Sequence, residues 1–330
     1  MRFKKKLQVM FLLLFGLFPS IVFAYSDYVI PGGENIGIKM NAKYVSIVGF
    51  YEVNGTYIAE NAGFKVGDMI LEINDEAVTS IDQMISLVDK YKNEEMIVKF
   101  MRGDEEKTTK LALEVDESGV YKTGIYVKDQ INGIGTLTYI DPESHIYGAL
   151  GHEIADKNTL QKVEIRDGEI YTSEITGIKP SKDGEPGEKQ ARIYRDEVIG
   201  NIEANEESGI FGTITSEFSA SDAIEVGKPE DVKTGKATIR TVINKDQVED
   251  FEIEILEVDK TSTTKNILFE ITDKELLEKT GGVVAGMSGS PIIQNGKIIG
   301  GVTHVVVNDS DKGYGIFITT MLEEGDKKSG

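Results

Sequence analysis

The densest run of small and hydroxyl-bearing residues is Gly282-Val283-Val284-Ala285-Gly286-Met287-Ser288-Gly289-Ser290-Pro291-Ile292-Ile293, followed by Gln294-Asn295-Gly296-Lys297 and a β-forming stretch. A hydroxyl held on a tight turn can act as a nucleophile when neighbouring N–H groups converge on the oxyanion it creates, and glycines permit the backbone conformations that aim them. On that reading Ser288 attacks, and the N–H groups of Gly286 and Ser288 form the oxyanion hole. Such a serine needs a base, and the chain has three histidines: His145, His152 and His304. His152 follows Tyr147-Gly148-Ala149-Leu150-Gly151, a pattern suited to a strand end that presents an imidazole in a tight cleft, and it ranks first. His304 alternates with Val302 and with Val305–Val307 on the strand after the serine turn, so it ranks second, as base, cleft lining or core histidine. His145 sits in a polar Asp-Pro-Glu-Ser-His turn and is expected to be solvated.

Other chemistries fit less well. The strand-to-helix elbow Gly-x-Ser-x-Gly is not met, because Ser290 stands where its last glycine should be and the surroundings are β-forming. His152-Glu153 begins like a zinc-protease helix, but the fifth position is Asp156, so no metal is expected. With no cysteine anywhere, thiol nucleophiles, disulfide frameworks and Cys-based metal sites are excluded, and no cofactor is implied. The Gly-Met-Ser-Gly-Ser-Pro core does resemble the nucleophile loop of chymotrypsin-like serine proteases.

The elements that must position these residues fall into two regions, as 330 residues allow. From Ile36 to about Leu113, short strands surround one helix. Ile81, Met84, Ile85, Val88 and Tyr91 recur at helical spacing, with Ser80 and Gln83 placed for a capping box, which predicts a helix over 80–91 that packs its apolar face on the strands. The stretch Ala62-Gly63-Phe64-Lys65-Val66-Gly67-Asp68-Met69-Ile70-Leu71-Glu72-Ile73-Asn74 resembles that of PDZ domains in bacterial proteases. In such domains a glycine-containing loop offers backbone N–H groups to a peptide carboxylate while the peptide adds as a strand. The loop expected to do so is Asn35-Ile36-Gly37-Ile38, the contacts falling on Ile36, Gly37 and Ile38. After residue 120 the pattern is many short strands separated by turns, as in sandwiches or barrels. The charged end Glu323 to Gly330 is expected to fray.

Residues 2–6 read RFKKK and precede an apolar stretch that ends with Val22 and Ala24 at cleavage-site spacing, the pattern of an export signal. The stretch is also about long enough to stay as a membrane anchor, since roughly 17–25 residues span a bilayer. Everything after Ala24 is then expected outside the cytoplasm, with membrane contact only through residues 1–24. The whole chain has 36 Lys plus Arg against 56 Asp plus Glu, a formal charge of −20; without residues 1–24, 32 bases against 56 acids leave −24. So acidic a surface disfavours nucleic acid and direct adsorption to anionic lipid.

Taken together, the export segment, the PDZ-like region, the run ending at His152 and above all the residues 286–316, GMSGSPIIQNGKIIGGVTHVVVND…GYGI, closely resemble the SpoIVB peptidase family of endospore-forming bacteria. The resemblance implies a mainly β protein: an N-terminal PDZ domain (25–118) followed by a chymotrypsin-like double β-barrel peptidase (119–330). It also implies a sporulation serine endopeptidase exported from the forespore into the space between the two membranes around it. There such enzymes process themselves and cut a regulator of a membrane-embedded metalloprotease, which then processes the mother-cell sigma-K precursor; the PDZ domain is implicated in target recognition and self-association. The family's catalytic histidine falls on His152 and its serine on Ser288, while its proposed aspartate falls on Asp273, only 15 positions before the serine. Asp273 also stands where it could cap the helix-like Lys-Glu-Leu-Leu-Glu-Lys stretch. The alternative of another class is a non-catalytic or only self-cleaving PDZ adaptor that acts by protein contact.

Overall fold

The structure, a computed structural model, describes residues 25–327. The expected export segment, residues 1–24, lies outside the described residues. The chain opens with β1 (Tyr28–Pro31), the long β2 (Asn35–Phe50) and the short helix α1 (Ile58–Asn61). Then come β3 (Met69–Ile73), β4 (Glu76–Ala77), α2 (Ile81–Tyr91), β5 (Met96–Arg102), β6 (Glu105–Leu111), β7 (Glu114–Val115) and β8 (Tyr121–Lys122). A second long strand, β9 (Ile125–Ile140), leads to β10 (Ile146–Ala149), β11 (Ile165–Lys179), β12 (Glu188–Ile202), β13 (Ala204–Glu206), β14 (Gly209–Thr213) and β15 (Ile224–Glu225). The last part holds β16 (Gly235–Asn244), β17 (Gln247–Val258), β18 (Ile267–Ile271), α3 (Lys274–Thr280), β19 (Pro291–Gln294), β20 (Lys297–Val305), β21 (Lys312–Phe317) and α4 (Ile318–Asp326).

The PDZ unit packs α2 on β3, β5 and the neighbouring ends of β2 and β9, around Val45, Ile47, Phe64, Ile70, Ile73, Met84, Leu87, Val98 and Phe100. Ser80 caps α2 as the sequence predicts, its Oγ accepting from Gln83 N–H at 3.2 Å, while Gln83 Oε1 accepts from Thr79 rather than from Ser80. The motif Gly67-Asp68 has a structural reason: Asp68 is buried and takes two hydrogen bonds of 2.7 Å from the Arg102 guanidinium and one of 2.8 Å from Lys65 N–H. Buried carboxylates need such complete pairing.

Two β-barrels follow, in line with the fold expected of the sequence. In the first the strand order is β12-β11-β2-β9-β10-β14, with β1 and β13 flanking. It closes where Thr215 N–H donates to Ile199 O at 2.9 Å, beside an isolated bridge between Gly200 and Ile214. Inward positions alternate along each strand, and Ile36, Ile38, Met40, Leu137, Tyr147, Ile170, Ile202 and Ile210 fill the interior. The second barrel is fully closed, in the order β16-β17-β18-β21-β20-β19, around Ile239, Phe251, Ile253, Phe269, Ile292, Ile299 and Val302. Helix α4 seals the seam between the barrels by burying Ile318, Met321 and Leu322 against Tyr139, Phe211 and Ile298. Residues 323–326, expected to fray, are thus the last turn of a docked helix.

The domain boundaries differ from the expected ones because β2 and β9 serve both units. Residues 36–42 of β2 pair with β11, and 35–41 with β9, inside the first barrel, while 45–46 pair with β3 and 46–50 with the start of β9 in the PDZ sheet. The PDZ unit is therefore carried on the extended ends of two barrel strands. Residues 28–42, assigned above to the PDZ domain, are barrel residues.

Candidate active site

The turn that carries Ser288 is built by close approach to the first barrel. Gly289 has φ +93°, and a side chain there would meet Thr136 O at 2.1 Å and Leu150 N at 2.5 Å, so only glycine lets the turn lie against β9 and β10. Thr136 N–H donates to Ser288 O at 3.0 Å, and Thr136 Oγ1 donates to Gly286 O at 2.7 Å. Within the turn Met287 N–H donates to Val284 O, Ser290 N–H to Met287 O and Gly289 N–H to Val302 O. The N–H groups of Gly286 and Ser288 have no such acceptor among the described residues, which leaves both free for an oxyanion.

His152 comes from the first barrel, in the loop after β10, and Ser288 from the second. Both line one cleft of about 490 Å³, together with Ile38, Leu150, Lys189 and Gly286. His152 Nδ1 lies 2.7 Å from Glu153 O. A carbonyl can only accept, so Nδ1 carries the proton and Nε2 of the neutral ring presents its lone pair. Burial holds the imidazole pKa below its ordinary value, partly offset by the Glu153 carbonyl and charge, which keeps the ring neutral near pH 7. Ser288 Oγ itself donates to Thr303 O at 3.0 Å, so a turn of its side chain separates this resting arrangement from one with the hydroxyl on a base. His304 does reach the site: its ring centroid is 5.2 Å from that of His152. Desolvation, then the charges of His152 and Lys265, push the His304 pKa down to about 4, too low for an efficient base near neutrality. His145 is exposed, as expected, and stacks edge-on against Phe218.

Asp273 is not brought to His152. Its carboxylate accepts from Leu276 N–H at 3.0 Å and caps α3, while its own N–H donates to Glu252 O. The capping position that the sequence offered is the one the chain uses, since α3 begins at Lys274 and leaves its first N–H groups needing an acceptor. Nor does the strand beside the His152 loop supply an acid. It enters as Ser208-Gly209, and the nearby Glu206 is tied to Lys162 at 2.7 Å. Orientation of the imidazole thus falls to the Glu153 carbonyl. Among the described residues no three His, Asp or Glu side chains converge to hold a metal ion.

One charged residue of the cleft was not anticipated from the sequence. Lys189, at the start of β12, is 4% exposed and has no carboxylate beside it; burial alone lowers its pKa to about 7. The available signal was phase, because Lys189 shares the inward alternation of Ala191 and Ile193, while the residues between them, Glu188, Gln190 and Arg192, are polar and exposed.

The expected PDZ loop also needs correction. Ile36, Gly37 and Ile38 lie in the first part of β2, inside the sheet, hydrogen-bonded to β9 on one edge and β11 on the other, and a side chain on Gly37 would strike Ile193. Paired on both edges, they have no N–H to offer a peptide; Gly37 is there for packing. The apolar groove of the PDZ unit, about 550 Å³, lies instead between α2 and the segment 119–127, lined by Ile81, Met84, Ile85, Val88, Ile125 and Val127. Ile85, expected to pack against the strands, is 61% exposed along this groove.

Comparison with known proteins agrees with this architecture. A profile of the SpoIVB peptidase S55 family matches residues 119–322, and a PDZ domain profile matches residues 50–102. The chain belongs to the SpoIVB peptidase family. It is accordingly a serine peptidase of the sporulation type with a PDZ domain ahead of its β-barrels. The PDZ domain of the SdrC-like protein from Listeria monocytogenes is 21% identical, covering 26% of this chain and 90% of that one, with a TM-score of 0.23. The active form of the Rv3671c protease from M. tuberculosis is 13% identical over 61% of this chain and 75% of that one, with a TM-score of 0.34. Its inactive form is 12% identical over 60% and 85%, with a TM-score of 0.31. No curated protein matches.

Proposed function

We propose that this SpoIVB peptidase is a sporulation-specific endopeptidase in which Ser288 is the nucleophile and His152 the base. The observation that carries this reading is the meeting of His152 from one barrel and Ser288 from the other in a single cleft, beside two uncommitted N–H groups. In the acylation step Ser288 Oγ leaves Thr303 O, gives its proton to His152 Nε2 and attacks the peptide carbonyl carbon. The carbonyl oxygen becomes an oxyanion held by Gly286 and Ser288 N–H, and the imidazolium, oriented by Glu153 O, returns the proton to the leaving amine. Water, activated by the same ring, then releases the acyl group and restores Ser288.

The family and the export pattern of residues 1–24 support a place outside the cytoplasm, between the forespore and mother-cell membranes. The natural substrates are then the chain itself and the regulator of a membrane-embedded metalloprotease, whose cleavage starts sigma-K precursor processing. The groove beside α2 supports recognition of an extended peptide of that target, or of a second copy of this chain, by the PDZ unit. Incubating the purified chain with the regulator's extracytoplasmic segment tests the reading: cleavage by wild type and none by Ser288→Ala is expected. The adaptor alternative requires the opposite, a Ser288→Ala chain that still triggers sigma-K processing when supplied already trimmed.

A further inference from the structure

The hairpin β11–β12 leaves the first barrel and is joined to the segment that leads into the nucleophile turn. Ser181 Oγ donates to Val283 O at 2.7 Å, Ala285 N–H donates to Gly187 O at 2.9 Å, and Lys189 N–H donates to Ala285 O at 2.9 Å. The last of these bonds sets a direction. The peptide between Ala285 and Gly286 is planar and trans, so fixing its carbonyl toward Lys189 points the Gly286 N–H the opposite way.

The Lys189 side chain adds two further restraints. Its Cβ, Cγ and Cδ lie 3.1 to 3.3 Å from where a Gly286 side chain would begin, so the stem covers Gly286, while Thr136 Oγ1 holds the Gly286 carbonyl at 2.7 Å. Beyond the stem, Lys189 Nζ donates to Thr241 Oγ1 at 2.8 Å, and Ser290 Oγ donates to the same oxygen at 2.9 Å. Lys189, Thr241 and Ser290 are all buried. The turn 285–290 is thus held at its entry by the Lys189 backbone, at Gly286 by its stem, and at its exit through Thr241.

We propose that Lys189 is a positioning residue of the proteolytic centre, its buried side chain holding the nucleophile turn so that the Gly286 and Ser288 N–H groups stay aimed into the cleft. A methionine would fill the same volume without burying an amine, so the polar tie is what the lysine adds. The proposal rests on Ser288 as nucleophile.

The test compares full-chain wild type, Lys189→Met, Thr241→Val and Thr241→Ser in peptide hydrolysis and in labelling by a fluorophosphonate. Loss of a whole oxyanion donor costs about 10²–10³ in kcat, so a loosened turn is expected to cost about 10–100-fold in kcat with KM within about 2-fold. Labelling should slow in parallel. Thr241→Val should act in the same direction and Lys189→Met/Thr241→Val no worse than Lys189→Met alone, because the two changes cut one tie. Thr241→Ser, which keeps the hydroxyl, should restore kcat. Wild-type kcat in Lys189→Met overturns the proposal, as does a loss confined to the fraction of labelled sites, which is what mere destabilisation gives. Should Lys189→Met fail to fold, Thr241→Val against Thr241→Ser decides by the same kcat criterion. A Ser288→Ala chain that still hydrolyses peptide defeats the nucleophile assignment instead; inert Ser288→Ala beside fully active Lys189→Met defeats only the role of Lys189.

Discussion

Replacing Lys189 by Met should make the protein more stable near neutral pH, and the gain should vanish as the solution becomes alkaline. Burial lowers the native pKa of Lys189 from 10.5 to about 7, with no carboxylate to offset it. The unfolded chain keeps the proton up to its ordinary pKa, so between these two values it binds more protons than the native state. Stability therefore rises with pH across that window, by up to about 1.4 kcal/mol per unit and about 5 kcal/mol in all. Near pH 8 roughly 3 kcal/mol of the cost is still present. Methionine removes it but gives up the bond from Nζ to Thr241 Oγ1, a loss of about 1 kcal/mol because Thr241 still accepts from Ser290. The variant should accordingly be more stable by about 2 kcal/mol near pH 8 and about equal to wild type near pH 10. Urea unfolding followed by far-ultraviolet circular dichroism at several pH values measures this, and equal m-values would confirm that the same surface unfolds. Other titrating groups cancel in the difference between the two proteins. A stability difference that does not change with pH would refute the reasoning. A more stable but slower enzyme is the trade expected of a residue kept for its site.

Three further outcomes follow from other parts of the structure. Because burial lowers the His152 pKa, the acid limb of the kcat/KM profile should fall below the ordinary histidine value of about 6.5; a limb at or above it in a peptide assay contradicts the assignment of the base. Asp273→Ala should lose the α3 cap and about 1 kcal/mol of stability, whereas Asp273→Asn keeps a capping oxygen and should leave both unfolding and kcat near wild type; a kcat loss of orders of magnitude in Asp273→Asn would reinstate it as triad acid. Arg102→Ala strands the buried Asp68 carboxylate and should cost about 3–5 kcal/mol in the PDZ unit, seen as early proteolysis or unfolding of that unit alone.

Local signals were read well where chain neighbours decide the outcome. The capped, periodic helix over 80–91, the serine turn with its two glycines, and the histidine after a run of small residues all depend on residues a few positions apart. What escaped depends on partners far along the chain. Nothing in residues 35–50 says that one strand continues through two domains, because alternation reports which face is buried and not which strands lie beside it. Gly37 therefore looked like a loop glycine when it is one that admits Ile193. Asp273 carried two compatible roles, and the local one, capping the helix it precedes, is what the structure uses. Lys189 looked like one more charged strand residue, because its partners Thr241 and Ala285 are 52 and 96 positions away. Ile85 had the right period for the core, yet α2 is flanked by a groove, and the same periodicity serves an open apolar face as well as a buried one.

The most direct test of the central claim is to treat the purified wild-type chain and Ser288→Ala with a fluorophosphonate, and to follow self-cleavage of each by intact mass, with circular dichroism to show that both are folded. Labelling that maps to Ser288 and fragments that appear only in wild type are expected. Equal labelling or equal fragmentation in folded Ser288→Ala would contradict the assignment of Ser288 as the nucleophile.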